Sequence, residues 1–208
     1  MRLLAPRWRK VVRDVWSNKT RTILVLLSIA VGVSALGMVM GSQQIVDESL
    51  PEAYAAVNPA HAQMFTLDTF DDDMVEAIRS MDEIAAAEGR RTVNVRFLTQ
   101  EGEWRSLQLT ALPDYEDITL NKLYPEEGEY PPEQDTVLIE RASLSPVQGL
   151  DGFEFGDTLT VEAPNGRQRQ LKFTGTVHDM SQLPAFLTGS GYGYINYETL
   201  VRLGEPRD

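Results

Sequence analysis

The sequence predicts an α+β protein in which an amphipathic elbow helix and one long transmembrane helix precede a mixed, strand-rich extracytoplasmic domain. Three observations lead to this fold class: an uncharged apolar run at residues 23–41, a basic segment before it, and segments after it that alternate apolar and polar residues. We expect an elbow helix over 1–20, a transmembrane helix over 21–47 and an extracytoplasmic domain over 48–208.

The elbow is predicted from four apolar residues at the i, i+4, i+7 and i+8 spacing of one helical stripe, namely Trp8, Val12, Val15 and Trp16. A basic helix with tryptophans on its apolar side is typical of the lipid headgroup layer. The alternative is a basic flank that only sets the topology. The residues predicted to hold this end in the cytoplasm are Arg9, Lys10, Arg13, Lys19 and Arg21.

The apolar run is long enough to cross a bilayer. Its 19 residues span about 28 Å as a helix, close to the hydrocarbon thickness. A cleaved signal has a shorter apolar core of about 7–15 residues and a shorter basic head, so an anchor is favoured. Cleavage after Gly41, which releases a secreted protein, is the alternative.

Small residues recur within the run. Ser28 and Gly32, and likewise Gly37 and Gly41, are four residues apart, a spacing that lets two helices approach closely in lipid. Ala30 and Ser34 form a third such pair. We predict that Ser28, Gly32, Gly37 and Gly41 pack against other membrane helices, although small residues are common in membrane helices generally.

The elements predicted after the span follow from alternation, turns and caps. Asp71 begins a helix whose first turn holds two more aspartates, and capping explains them better than calcium binding does. The elements predicted beyond it are hairpins near 91–112 and 157–179, a buried strand at 136–140, a strand at 191–196 and a helix at 197–203 ended by Gly204. Residues 124–135, rich in Pro, Gly and acid, are predicted to be an irregular surface loop.

The N-terminal segment of the chain is basic, whereas the part after the apolar run is acidic. Residues 1–22 carry seven Lys/Arg and one Asp, whereas residues 42–208 carry twelve Lys/Arg and thirty Asp/Glu, a net charge of −18. A basic head, an apolar run and an acidic body indicate a membrane protein whose basic end stays inside. An acidic body also repels phosphate, so nucleic-acid partners are not expected.

The sequence offers no catalytic, cofactor or metal motif. It contains no cysteine, which excludes disulfides, thiolate zinc sites and lipoprotein-type processing. His61 and His178 stand in no ligand spacing and are interpreted as surface or loop histidines, and a P-loop is absent. We therefore expect no enzymatic activity and no cofactor.

Two stretches together resemble a known family. The elbow-to-helix entry through Asn18, Lys19, Arg21 and Thr22, with Gly32 in mid-helix, resembles FtsX-like ABC-transporter permeases. The run from 136–143 through the hairpin at 153–179 to 191–203 resembles the MacB-like periplasmic core domain.

The resemblance implies a plasma-membrane permease with its main domain outside. Its expected partners are a separate cytoplasmic ABC ATPase and a second permease copy, with room for an extracytoplasmic adaptor or lipoprotein. The sequence departs from the family by stopping at Asp208, where further membrane helices are expected, which suggests a fragment or a truncated gene.

Two functions follow from these observations. The first is the membrane component of an ABC transport or mechanotransmission complex. The alternative is a single-span anchor that displays an acidic binding module, with no role in transport.

Overall fold

The computed structural model describes residues 16–66 and 68–206, and the chain divides into two compact units, Met1–Ala53 and Tyr54–Asp208. We call the second of these the folded unit. Each unit is described by itself.

The first helix, α1 (Lys19–Ala56), is 38 residues long. Its stretch Lys19–Ser42 has a mean hydropathy of 2.6, none of it is buried, and it is long and apolar enough to cross a membrane. The helix passes through Pro51 and ends three residues before Pro59. Proline disfavours helical geometry in the residue before it, and α1 ends before Asn58 and Pro59.

The end of α1 is fixed inside the folded unit by an asparagine clamp. Asn58 and Asn121 both adopt positive φ, of 49° and 45°, a conformation that asparagine tolerates well. The backbone N–H of Asn121 donates to the Asn58 carbonyl at 3.0 Å, and that of Lys122 donates to the Val57 carbonyl at 2.9 Å. The Asn58 side chain donates to the Thr119 carbonyl at 2.8 Å, and Asn121 Oδ1 accepts from the Ala60 N–H at 2.9 Å.

In the described residues of the folded unit, seven strands and three short helices follow α1. In chain order they are α2 (Asp72–Arg79), β1 (Arg91–Leu98), β2 (Trp104–Leu112), β3 (Tyr124–Gly128), β4 (Thr136–Glu140), β5 (Thr158–Glu162), β6 (Gln168–His178), α3 (Ala185–Thr188), β7 (Gly191–Asn196) and α4 (Tyr197–Leu203), with one 3-10 turn at Arg141–Ser143. Both predicted hairpins, the strands β4 and β7 and the helices α2 and α4 are confirmed. Asp71 caps α2 by accepting from the Met74 N–H at 3.0 Å, and Gly204 ends α4 with φ 92°.

Six of the strands close into a small barrel. Neighbouring strands run in the order β6-β4-β7-β2-β1-β5, and β5 pairs back onto β6. The long strand β6 makes closure possible, because residues 168–172 pair with β5 while residues 172–177 pair with β4. β3 lies outside the ring on the other side of β6.

The main core fills the barrel. Side chains that alternate along the strands point inwards, among them Phe97, Leu109 and Phe173, each at most 1% exposed. Every residue of β4 is buried, because a second apolar cluster lies against its outer side. This outer cluster consists of Leu112, Tyr115, Leu123, Leu138, Val177 and Tyr194.

The prediction of an irregular loop over residues 124–135 is wrong in its first part. Tyr124–Gly128 forms β3, antiparallel to β6, with Tyr124 opposite His178 and Gly128 opposite Gly175. A Cβ on Gly175 would lie 2.8 Å from the Glu127 carbonyl oxygen, so only glycine permits this approach of the two backbones. Every residue of β3 is exposed, which explains why the sequence shows no apolar alternation there.

Gly193→Ala is expected to destabilise the folded unit by about 1–3 kcal/mol, since overpacking a filled core typically costs that much. The added Cβ would lie 2.8 Å from Leu109 Cδ2 and 3.1 Å from Val137 Cγ2. Urea unfolding of the full chain in detergent, followed by near-UV circular dichroism, measures the change. Gly191→Ala, whose Cβ would come no closer than 3.1 Å to any atom, should cost less, and equal stability of all three proteins would contradict the packing described.

Candidate functional site

The small residues of α1 lie on two opposite faces of the helix. Gly37 follows Ser28 by nine residues, which is about two and a half turns at 3.6 residues per turn. Ser28 and Gly32 therefore share one face, whereas Gly37 and Gly41 share the opposite face. Ala30 and Ser34, the third pair, fall on the face of Gly37 and Gly41. A Cβ on Gly32, Gly37 or Gly41 would meet nothing within 4 Å, so both faces are open.

The predicted surface helix is described only at its end. Trp8, Arg9, Lys10, Val12, Arg13 and Val15 lie outside the described residues. Trp16 is 68% exposed, and the Lys19 ammonium lies 5.2 Å from the centre of its ring, a cation–π contact. Lys19 and Arg21 lie in the first turn of α1, at the basic end of the apolar stretch.

The two histidines differ in exposure and in secondary structure. His61 is exposed and outside regular structure, as predicted. His178 is not a surface or loop histidine: it ends β6, and its side chain is 26% exposed. Within the described parts of the chain, no group of three His, Cys, Asp or Glu side chains could hold a metal ion.

His178 belongs to a polar cluster at the ends of three strands. Its Nδ1 lies 3.4 Å from Oε1 of Glu140 on β4, and its Nε2 lies 3.2 Å from a guanidinium nitrogen of Arg141. Arg141 also pairs with Glu126 of β3 at 2.6 Å. Because guanidinium only donates, Nε2 of His178 is the acceptor in the contact with Arg141, while Nδ1 faces Glu140. The cluster ties β3, β4 and β6 together.

Glu140 is the buried carboxylate of this cluster, with 4% of its surface exposed. Burial raises the pKa of Glu140 above its ordinary value, while hydrogen bonds from His178 and from the Ala142 N–H act in the opposite direction. Its Oε2 accepts from the Ala142 N–H at 2.7 Å, which caps the 3-10 turn. Glu140 is therefore a structural group held at some electrostatic cost.

A second buried carboxylate, Asp179, follows His178. It accepts hydrogen bonds from the Tyr194 hydroxyl at 2.5 Å and from the Ser181 N–H at 2.8 Å. Burial, with the neighbouring Asp179 charge, raises the pKa of Tyr194 well above its ordinary value, so the phenol stays a donor. This pair fixes the start of the segment that leads to α3.

A shallow groove of about 400 Å³ lies beside α2. Phe70, Val75 and Leu112 line its apolar part. Both of its arginines are engaged in structural contacts: Arg79 with Glu76 and the Ala87 carbonyl, Arg90 with Glu88 and the backbone of residues 120–121. Among the described residues that line the groove, no cationic side chain is therefore left free to bind an anion.

Sequence reasoning did not find the polar cluster. The one signal available was a glutamate at the end of a fully apolar strand, "TVLIE", because a charged residue beside a buried strand needs a partner. Its partner, His178, is 38 residues away and is brought near only by the parallel pairing of β4 with β6.

Comparison with known proteins gives a distant likeness among solved structures. No family model and no curated protein matches the chain. Among solved structures, the crystal structure of the periplasmic region of MacB from Actinobacillus actinomycetemcomitans matches with a TM-score of 0.42 and 13% sequence identity. The match covers 65% of this chain and 59% of that one, less than two thirds of its length. The link is at the level of the fold.

Glu140→Gln is expected to flatten the dependence of folding stability on pH. A carboxyl whose pKa is raised by folding stabilises the native state most below its ordinary value of 4.5, and this contribution is lost as the pH rises through the folded pKa. The stability of the variant relative to wild type should therefore increase from about pH 4.5 towards 7. Urea unfolding at a series of pH values measures it, with the exposed Glu133→Gln as the control for loss of one charge. A constant difference across this range would show that Glu140 is not strained by burial.

Proposed function

We propose that the protein is the membrane component of an ABC transport complex. In this proposal α1 crosses the plasma membrane with its basic end in the cytoplasm, and the folded unit lies outside. A separate cytoplasmic ATPase drives the complex, and the folded unit delivers the resulting motion to export, extraction or mechanical signalling. The role of the chain itself is to transmit and not to catalyse.

The observation that carries this proposal is the pair of opposite small-residue faces on α1. In lipid, helices associate through close packing, and small residues allow the backbones to approach. A single tether needs no such face, whereas a helix packed between two neighbours needs two. The bulky side chains Ile29 and Leu36 lie between the faces and are 58% and 67% exposed, as residues that contact lipid or another helix would be.

The folded unit supports a transmitting role. The two apolar clusters that its described residues form lie wholly within residues 93–203, and no residue of α1 belongs to them. Among the described residues, its buried titratable groups are Glu140, Asp179, Tyr115, Tyr192 and Tyr194, and each makes a hydrogen bond to another element or turn. These contacts account for the groups without an enzymatic role.

A second candidate is a single-span anchor that displays the folded unit as an acidic binding module. The observation in its favour is charge: residues 54–208 carry twelve Lys/Arg against 27 Asp/Glu, a net charge of −15. This candidate needs no association between membrane helices.

Leucine at Gly32 or at Gly37 is expected to weaken association of the chain in lipid vesicles severalfold, because each fills one close-packing face. The chain lacks cysteine, so Ser17→Cys gives a single labelling site for energy transfer between donor- and acceptor-labelled copies. Ile29→Leu, between the faces, is the matched control and should leave energy transfer unchanged. Energy transfer at the level of random proximity in the unsubstituted chain would favour the single-span anchor.

The orientation can be tested with the same background. Cysteine at Ser17, before the apolar stretch, should react with an impermeant maleimide only after the cells are opened. Cysteine at Glu101, in the exposed β1–β2 turn, should react in intact cells or spheroplasts. The reverse pattern would overturn the proposed topology, and recovery of the protein in the soluble fraction after an alkaline wash would overturn the membrane assignment.

A further inference from the structure

Four large apolar side chains lie exposed on two segments of the folded unit that a hydrogen bond between Gln148 and Ala185 joins. Val147 follows the 3-10 turn, Leu183 precedes α3, and Phe186 and Leu187 belong to α3. Each of them is between 62% and 65% exposed. We call these four residues the apolar patch.

The segments that carry the apolar patch are free of charge. Residues 180–197 include no Asp, Glu, Lys or Arg, although at 24% charged residues a run of eighteen would hold about four. Residues 142–150 are uncharged as well. Elsewhere the folded unit is strongly acidic. At the border of the patch, Arg105 donates to the Val147 carbonyl at 3.0 Å and is paired with Glu103 at 2.8 Å, so it brings no unpaired charge.

The apolar patch is held in place by buried polar groups. Gln148, 3% exposed, donates to the Ala185 carbonyl at 2.9 Å and so joins the two uncharged segments. Ser143 Oγ accepts from the Tyr192 N–H at 2.9 Å, a second link between them. Asp179 fixes the start of the segment, and Gly189 ends α3 with φ 74°. The exposure of the four side chains therefore belongs to an ordered structure.

An ordered apolar area of this kind is characteristic of a binding surface. Central apolar residues with few charges are also what protein interfaces have at their core. Four side chains cover less than the roughly 800 Å² per partner of a standard interface, so the contact formed here is a transient one or part of a larger one.

The net negative charge of the folded unit favours a basic partner over a second copy or an anionic lipid surface. A second copy of the folded unit would bring another net charge of −15 towards the first, and an anionic lipid surface would be repelled in the same way. A partner with basic residues around an apolar centre is attracted at long range and meets no unpaired charge at the patch.

We propose that the apolar patch is the docking surface for a partner protein whose contact face is apolar at the centre and rimmed by Lys or Arg. The proposal concerns the folded unit alone and holds for either function considered above. The occupant lies on the same side of the membrane as the folded unit.

The test uses the full chain in nanodiscs and a dye-labelled amphipathic helical peptide of Leu and Lys as the probe. Fluorescence anisotropy should show that Phe186→Ser combined with Leu187→Ser weakens peptide binding at least tenfold. Met64→Ser combined with Phe65→Ser is the matched control, because these side chains are 74% and 90% exposed outside the patch. Any binding of the peptide to lipid is common to all variants and cancels in the comparison. Near-UV circular dichroism checks that the variants fold.

Two further peptides test the chemistry of the occupant. A Leu–Glu helix should bind at least tenfold more weakly than the Leu–Lys helix, and a Gln–Lys helix without leucine should bind weakly and show no loss in the patch variant. Equal binding of the Leu–Lys helix by wild type and patch variant, or equal binding of the Leu–Glu helix, would overturn the proposal.

The other occupants give distinct results. Patch-dependent self-association in energy-transfer measurements would assign the surface to a second copy. Patch-dependent binding of phosphatidylglycerol vesicles would assign it to lipid. Either result overturns the proposal, whereas loss of association on substituting Gly32 or Gly37 alone concerns only the proposed function of α1.

Discussion

The pairing of β6 with two neighbours along its length is the constraint on which the folded unit depends. Its first half completes the hairpin with β5, its second half runs parallel to β4, and β3 adds to it from outside. The ring that results is small, so its interior has to be filled by side chains and leaves space only for glycine at positions 191 and 193 of β7. Closure gives each of the six ring strands a neighbour on both sides, and the outer edge of β3 carries Pro125, Glu126 and Glu127, which discourage pairing with another chain.

Many of the strands and helices could be predicted from the sequence because the residue patterns that determine them are local. Alternation of apolar and polar residues, together with turn residues, predicts the two hairpins. An aspartate N-cap predicts α2, and the structure contains the hydrogen bond of this cap. β3 could not be read in this way. Its residues are all exposed, and what makes it a strand is the close approach of Gly128 to Gly175, 47 residues further along the chain. Barrel closure, likewise, joins β1 to β5 across some sixty residues, and no local pattern encodes that pairing.

The candidate sites also differ in how far the sequence could predict them. Spacing identified the small residues of α1, but their arrangement on two opposite faces required the continuity of the helix across all of them. The polar cluster of Glu140 and His178 needed the parallel pairing of β4 with β6, which sequence patterns do not reveal. The uncharged run at 180–197 was present in the sequence all along, yet the absence of charge does not by itself distinguish a buried strand from an exposed surface. Only the structure separates the buried β7 from the exposed side chains of α3.

The asparagine clamp links the residues that follow α1 to other segments of the folded unit. Its four hydrogen bonds join residues 57–60 to residues 119–122. Residues 119 and 120 are held in turn by Glu88, which accepts from both of their N–H groups. Residues 57–60 are therefore linked by hydrogen bonds, through residues 119–122 and Glu88, to the segment that leads into β1.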